Sequence, residues 1–123
     1  MKAKLTLAVG RRSEKAAVLR IEGSVDPTTF KQFDATFRWL NKEGIIYLVL
    51  EMSRMTYISS GGLSLLVKAK TIRDRRKGGA VVLVRPQTAV MNIMKILGLT
   101  KVFRITSSVE EAMLPPQTPH PPE

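Results

Sequence analysis

The chain has 123 residues, 44% of them hydrophobic, no cysteine and a formal charge of +10. That length supplies one packed core, and the missing cysteines exclude disulfide staples, thiolate metal sites and a cysteine nucleophile. No apolar run is long enough to span a bilayer, Met1 to Leu5 leads into alternation and not into a signal-peptide core, and the basic balance favours either anionic partners or a well-solvated surface.

Leu5, Leu7 and Val9 alternate with Thr6 and Ala8, which predicts a strand over residues 5–9. Residues 11–15 form a polar turn, and residues 16–22 alternate again, so the two strands form a hairpin that Gly23 ends. Asp26-Pro27-Thr28-Thr29 signals a helix start, with Asp26 as N-cap and Pro27 in the first turn. Phe30, Phe33, Phe37 and Leu40 then share one helical face, and Gly44 follows its end. Residues 45–52 are almost wholly apolar and read as a strand buried on both faces. A second helix is expected from Ser60 to Arg76, stopped by Gly78-Gly79. Residues 80–84 are another apolar strand. A third helix starts at Arg85-Pro86, carries Val90, Ile93, Met94 and Leu97 on one face, and is capped by Gly98. Residues 102–105 read as an edge strand and residues 108–113 as a last helical turn or two. Alternation of strands with helices predicts an α/β fold with parallel neighbours joined by right-handed crossovers. The expected domain spans residues 1–113. Residues 114–123, five of them proline after Pro115 is counted, are expected to form a disordered, partly polyproline tail.

Few residues offer catalytic chemistry. The single histidine, His120, lies in the proline-rich tail, no cluster has metal-ligand spacing, and no phosphate-binding glycine motif is present. Glu22 and Asp26 flank one turn and could be read as an acid pair, but a capping role suits Asp26 better. No catalytic residue, metal or cofactor is expected, and the protein is not expected to be an enzyme. The basic segment Lys68, Lys70, Arg73, Arg75, Arg76 and Lys77, offset only by Asp74, could hold an anion or be a solvated face. It lacks the interleaved aromatics of a nucleic-acid platform, so no nucleic acid is expected.

The distinctive feature is Tyr57-Ile58-Ser59-Ser60-Gly61-Gly62-Leu63, a turn with two hydroxyls and two glycines between a buried strand and a helix. Glycines permit a sharp turn and close approach, and a helix N-terminus presents free N–H groups and a positive dipole end. At 100° per residue, Ser64, Lys68, Thr71 and Arg75 form a polar stripe, with Leu63, Leu66 and Val67 opposite. Leu65, Ala69 and Ile72 widen the apolar surface. Projected back one turn, Ser59 points inward and suits the N-cap, and Ser60 is the outward, modifiable hydroxyl. An ordinary capped helix start fits the same spacing.

These residues resemble a known family. Val49-Leu50-Glu51-Met52-Ser53 followed by the serine turn is similar to the hallmark of STAS domains, which include the bacterial anti-sigma-factor antagonists. The resemblance extends through Gly78-Gly79-Ala80-Val81-Val82-Leu83-Val84, Ile96-Leu97-Gly98-Leu99-Thr100-Lys101-Val102-Phe103 and Ser108-Val109-Glu110-Glu111-Ala112. Upstream it includes Leu19-Arg20-Ile21-Glu22-Gly23-Ser24-Val25-Asp26, so it covers about residues 4–113. It implies a mixed sheet of about five strands with an N-terminal hairpin and about four helices. It also implies a cytoplasmic switch in transcription regulation. Such a domain docks on an anti-sigma factor that is also a serine kinase, is released by serine phosphorylation at the start of the second helix, and is reset by a phosphatase. The commonest family pattern, Asp-Ser-Ser-Gly-Leu, would put the phosphorylated serine on Gly61. A subgroup resembling Tyr-Ile-Ser-Ser-small-Gly-Leu makes Ser60 the acceptor, with Ser59 in reserve. Asp26 matches a loop acid at the partner-binding end, and Ser24 replaces an acid often found beside it. The expected partner-binding residues are therefore Asp26, Ser59, Ser60, Gly61, Gly62, Ser64 and Lys68. The alternative is a non-phosphorylated scaffold or an accessory subunit of a sensory complex or transporter. A monomer or weak dimer without membrane insertion is expected. Trp39 and Met91 fall off their helices' core stripes and are either partner contacts or half-buried rim residues.

Overall fold

Alternating apolar and polar residues at the start of the chain form two antiparallel strands, β1 (Leu5–Arg11) and β2 (Ala16–Val25), with Leu5 opposite Gly23 and Arg11 opposite Ala17. The computed structural model describes residues 4–115. After the hairpin come α1 (Phe30–Lys42), β3 (Tyr47–Ile58), α2 (Ser60–Asp74), β4 (Ala80–Val84) and α3 (Thr88–Ile96). A 3-10 turn at Leu99–Lys101, β5 (Arg104–Thr106) and α4 (Val109–Met113) complete the described chain. The sheet order is β1-β2-β3-β4-β5, and every pair beyond the hairpin is parallel. This is the α/β fold with parallel neighbours that the alternation of elements predicts, in the mixed five-stranded form that the family resemblance implies.

Both sheet faces carry apolar cores, which is why the central strands are apolar without alternation. On one face Leu19, Leu48, Leu50 and Leu83 pack against Phe33, Phe37 and Leu40 of α1, Leu63 and Leu66 of α2, and Val90 and Met94 of α3. The Phe33 and Phe37 rings lie 4.8 Å apart and tilt by 60°, an arrangement that ring quadrupoles favour. On the other face Val18, Val49, Val82 and Val84 meet Ala112 of the short helix α4. So short a helix needs tethers. The Tyr47 hydroxyl donates to the Ala112 carbonyl at 2.5 Å, and Arg104 Nη2 donates to the Glu111 carbonyl at 2.9 Å. Ser108 Oγ caps α4 by accepting from the Glu111 N–H at 3.0 Å.

Several boundaries differ from expectation, for identifiable reasons. Gly23 does not end β2. It sits inside the strand at φ +107°, where a Cβ would lie 2.1 Å from the Lys4 carbonyl oxygen. The pairing with β3 shifts register between Gly23 and Ser24, so the glycine marks a bulge. The strand expected over residues 45–52 is β3 and runs on to Ile58. Polar Ser53, Arg54 and Thr56 hide this extension in the sequence, but Met55 and Ile58 are buried, and Val25 pairs with Ile58. Asp26 is not the N-cap of α1. Its Oδ1 accepts from the N–H groups of Thr28 at 2.8 Å and Thr29 at 3.2 Å, closing a turn before the helix. Thr29 holds the cap position without a side-chain cap bond. Its hydroxyl is engaged with the Ser24 carbonyl at 2.8 Å and the Asp26 N–H at 3.0 Å. Helix α2 ends at Asp74 and not at Arg76, and α3 begins at Thr88 and not at Arg85. Arg85 adopts φ +48°, which no right-handed helix can include. Leu97 lies past the end of α3 and is exposed, not core. The last strand is shorter and later than residues 102–105, because residues 99–101 are wound into the 3-10 turn.

The basic segment is not one solvated face. Lys70 pairs with Asp74, and Arg73 is 1% exposed. From residue 116 onward the expected tail lies outside the described residues. Among the described residues no helix is long and apolar enough to cross a membrane, and no group of three or more His, Asp or Glu is placed to hold a metal ion.

Beside the smaller core, Glu51 is 8% exposed and pairs with Arg85, whose Nη2 is 3.0 Å from its Oε2. Burial pushes the Glu51 carboxyl upward. Hydrogen bonds from the Ser53 hydroxyl and N–H, with the Arg85 guanidinium, outweigh burial and hold it below the ordinary glutamate value. A carboxyl lowered on folding contributes stability that is full above its unfolded pKa and is lost as pH falls through the folded one. Arg85→Met removes one stabilising partner while burial persists. Its acid-unfolding midpoint, followed by circular dichroism, is expected at higher pH than wild type. An unchanged midpoint would show that Arg85 leaves the carboxyl unaffected.

Candidate functional site

The serine turn forms where β3 ends beside β2. The Ser59 N–H donates to the Val25 carbonyl at 2.8 Å, which fixes the turn at the C-terminal edge of the parallel strands, where α/β sheets commonly place ligands. Ser59 is extended at φ −75° and ψ 167°. Its Oγ accepts from the Gly62 N–H at 3.2 Å and its carbonyl from the Leu63 N–H at 2.9 Å. It is therefore the N-cap of α2 and half-buried, as its place on the helical wheel implies. Ser60 and Gly61 face solvent. Their N–H groups, at the first helical positions, have no intrahelical acceptor.

The two glycines differ. Beside Gly61 a Cβ would meet the Phe30 ring at 3.6 Å and 3.7 Å, an ordinary contact. Beside Gly62 it would lie 2.7 Å from Ile58 Cγ1 and 2.9 Å from Val25 Cγ1. Gly62 is thus the residue that lets α2 press against the ends of β2 and β3. Gly61 leaves room for a side chain at the surface.

Asp26 follows Val25 directly and borders the same end of the sheet. The Thr28 hydroxyl bond holds its carboxyl below the usual aspartate value. Partial burial opposes this, and the Thr28 N–H, Ser24 hydroxyl and Thr29 N–H add to it. The acid is therefore ionised and held rigidly. Ser64, Lys68, Thr71 and Arg75 are exposed along α2, on the stripe the wheel predicts, whereas Ile72, expected on the apolar side, is 38% exposed. The structure thus gathers Asp26, Ser59, Ser60, Gly61 and Gly62 at one end. Ser64 continues that surface. Lys68 lies about 12 Å along the helix from Ser60, within screened Coulombic reach but beyond direct contact.

Sequence reasoning missed the neighbour of this turn. Ser60, Leu63, Ser64 and Val67 of α2 form one wall of an apolar groove of about 330 Å³, and Leu97 and Leu99 form the other. Ile96 is 84% exposed, Leu97 57% and Val102 48%. An apolar groove with exposed apolar side chains in the adjoining chain is suited to an interaction surface. The available signal was Gly98, whose left-handed φ of 74° ends α3, leaving Leu97 exposed while Leu99 packs against the edge of the core. Trp39, 44% exposed, is on α1 outside this groove, and Met91 is half-buried.

Comparison with known proteins places this geometry. The family model of the STAS domain matches residues 9–112. The fold is similar to that of an anti-sigma factor antagonist from Mycobacterium paratuberculosis, with a TM-score of 0.78 and 19% identity over 89% of this chain and 91% of that one. It is also similar to the anti-sigma factor antagonist SpoIIAA in its unphosphorylated form, with a TM-score of 0.75 and 17% identity over 88% and 93% of the two chains. The phosphorylated form of the Bacillus protein SpoIIAA aligns with a TM-score of 0.68 and 16% identity over 88% and 96%. With its five-stranded sheet, its serine turn at the head of α2 and a family match over nearly the whole described chain, this protein belongs to the STAS domain family.

Proposed function

We propose that the protein is an anti-sigma-factor antagonist, a non-catalytic docking switch whose partner is an anti-sigma factor with serine-kinase activity and whose control is phosphorylation of Ser60. The observation that carries this reading is the placement of an exposed serine hydroxyl on the wall of an apolar groove at the head of α2. Apolar area in the groove supplies affinity, and Asp26, Ser64 and Lys68 supply orientation. Phosphate on Ser60 adds about −1.5 to −2 charge near neutral pH. In the free protein the dipole end of α2 and the N–H groups of Ser60 and Gly61 tolerate it. In the complex a partner would have to bury it, and the desolvation cost opposes docking. Ser59 is the weaker acceptor, because its hydroxyl already caps the helix. A phosphatase would restore the docking form.

The serine-kinase anti-sigma factors of the same genome, purified singly and supplied with ATP, test the reading. The expected result is one phosphate, mapped to Ser60 and lost in Ser60→Ala, with Ser60→Asp binding the same kinase about tenfold or more weakly. Gly61→Ser, for which there is space, is expected to offer a second acceptor. No phosphate on wild type, or a label that survives both Ser60→Ala and Ser59→Ala, would sink the phospho-switch.

Gly61 itself favours a second reading, because it occupies the position of the usual phosphoserine. In that case the protein docks constitutively, as a scaffold or an accessory subunit of a sensory complex or transporter. Equal partner affinity of Ser60→Asp and wild type would select it.

A further inference from the structure

A cavity of about 520 Å³ lies on the sheet face opposite α2. Helix α4 is too short to cover that face from end to end. It shields Val18, Val49, Val82 and Val84 and leaves Arg20, Glu22 and Ser53, further along the same strands, to line the cavity with the largely buried Glu51. Arg12 from the β1–β2 turn, Arg54 from β3, Arg85 from beyond β4, and Ser108 and Glu110 at the head of α4 complete the polar lining. Four arginines from four separate stretches of chain therefore line one hollow.

The charges there are only partly used within the protein. Arg85 is committed to Glu51, and the left-handed backbone at Arg85 is the one positive φ at a non-glycine among the described residues. Such a conformation persists where surrounding structure over-determines it, and it clusters at functional sites. Among the described residues, Arg12, Arg20 and Arg54 enter none of the ion pairs, and neither do Glu22 and Glu110. Two kinds of recognition group thus remain in one cavity. Guanidiniums match phosphoryl oxygens in a bidentate fork. Carboxylates, with the Ser108 hydroxyl, accept hydrogen bonds from hydroxyl donors. The lining contains no aromatic ring on which a nucleobase could stack. The volume is within the range of small-molecule sites.

We propose that this cavity binds a phosphorylated sugar or polyol, with Arg12, Arg20 and Arg54 on the phosphate and Glu22 and Glu110 on the hydroxyls. Glu51 and Arg85 act as a preformed pair that holds the cavity wall. The site is separate from the Ser60 turn and does not depend on the docking reading.

Titration of the full chain with ribose 5-phosphate and glucose 6-phosphate, followed by backbone amide shifts, tests this. Unphosphorylated glucose, inorganic phosphate and ATP serve as comparisons. Saturable shifts at Arg20, Glu22, Ser53 and Arg54 with millimolar or tighter affinity are expected for a sugar phosphate. Glucose and inorganic phosphate should bind about tenfold or more weakly, since each lacks one set of contacts. The double variant Arg20→Ala, Arg54→Ala is expected to lose binding about tenfold or more while keeping its circular dichroism spectrum. Arg38→Ala, on α1, should bind as wild type. The proposal is overturned by an absence of saturable shifts with both sugar phosphates, by equal affinity for inorganic phosphate, by tighter binding of ATP, or by full binding in the double variant.

Discussion

Gly62→Ala is expected to destabilise the domain by about 1–3 kcal/mol, whereas Gly61→Ala, one residue away on the same helical turn, is expected to stabilise it by a few tenths to about 1 kcal/mol. Intrinsic propensity acts alike on both, because alanine is the better helix former. Packing decides between them. A Cβ at position 62 would lie 2.7 Å from Ile58 Cγ1 and 2.9 Å from Val25 Cγ1. Both neighbours are β-branched, buried and held in paired strands, so neither can swing aside as a long flexible side chain would. At position 61 the nearest atoms are 3.6 Å away in the Phe30 ring. Urea midpoints with unchanged m-values measure the difference. For a domain of this size each kcal/mol moves the thermal midpoint by roughly 3–6 °C. Equal stabilities for the two variants would contradict the close approach of α2 to the sheet. Under the proposed docking function, α2 displaced by an alanine at position 62 carries Ser59 and Ser60 with it, so partner binding should weaken in Gly62→Ala and persist in Gly61→Ala.

Arg73→Met is expected to stabilise the domain by about 1–3 kcal/mol. Arg73 is 1% exposed, at the C-terminal end of α2. Its Nη1 donates to the Ala69 carbonyl at 3.2 Å, but among the described residues Nε and Nη2 have no partner. Burial pushes its pKa below the ordinary arginine value. Even so the guanidinium stays protonated near neutral pH, so the folded state carries a buried cation with unmet donors. Methionine matches the length and flexibility of the arginine stem without the charge. The change lies about 20 Å along α2 from Ser60, so docking should be unaffected while the urea midpoint rises. A fall in the midpoint would show that the guanidinium has partners in solution that repay its burial.

The fold was legible wherever local pattern and tertiary packing agree. The phenylalanine stripe of α1, the doubly apolar strands β3 and β4, and Ser59 as the N-cap of α2 all read directly from spacing. Legibility failed where a polar run or a glycine had a tertiary reason. Residues 53–57 look like a loop because three of them are polar, yet they pair with the far end of β2. Gly23 looks like a terminator and is a bulge. Asp26 looks like a cap and closes the preceding turn, because Thr29 is already bound to the Ser24 carbonyl. Arg73 reads as surface charge in a basic run and is buried.

The same division holds at the functional site. Spacing alone was sufficient for the exposure of Ser60, the inward turn of Ser59 and the polar stripe through Ser64, Lys68, Thr71 and Arg75, because a helix of known start imposes a 100° step on every residue after it. Only the tertiary structure brought Asp26 beside the turn, separated the tolerant Gly61 from the crowded Gly62, and set Leu97 and Leu99 across from Leu63 and Val67. It alone converged Arg12, Arg20, Arg54 and Arg85 on the opposite face. Those groupings arise from parallel strand register and from loops that return after dozens of residues, and no local period in the chain encodes them.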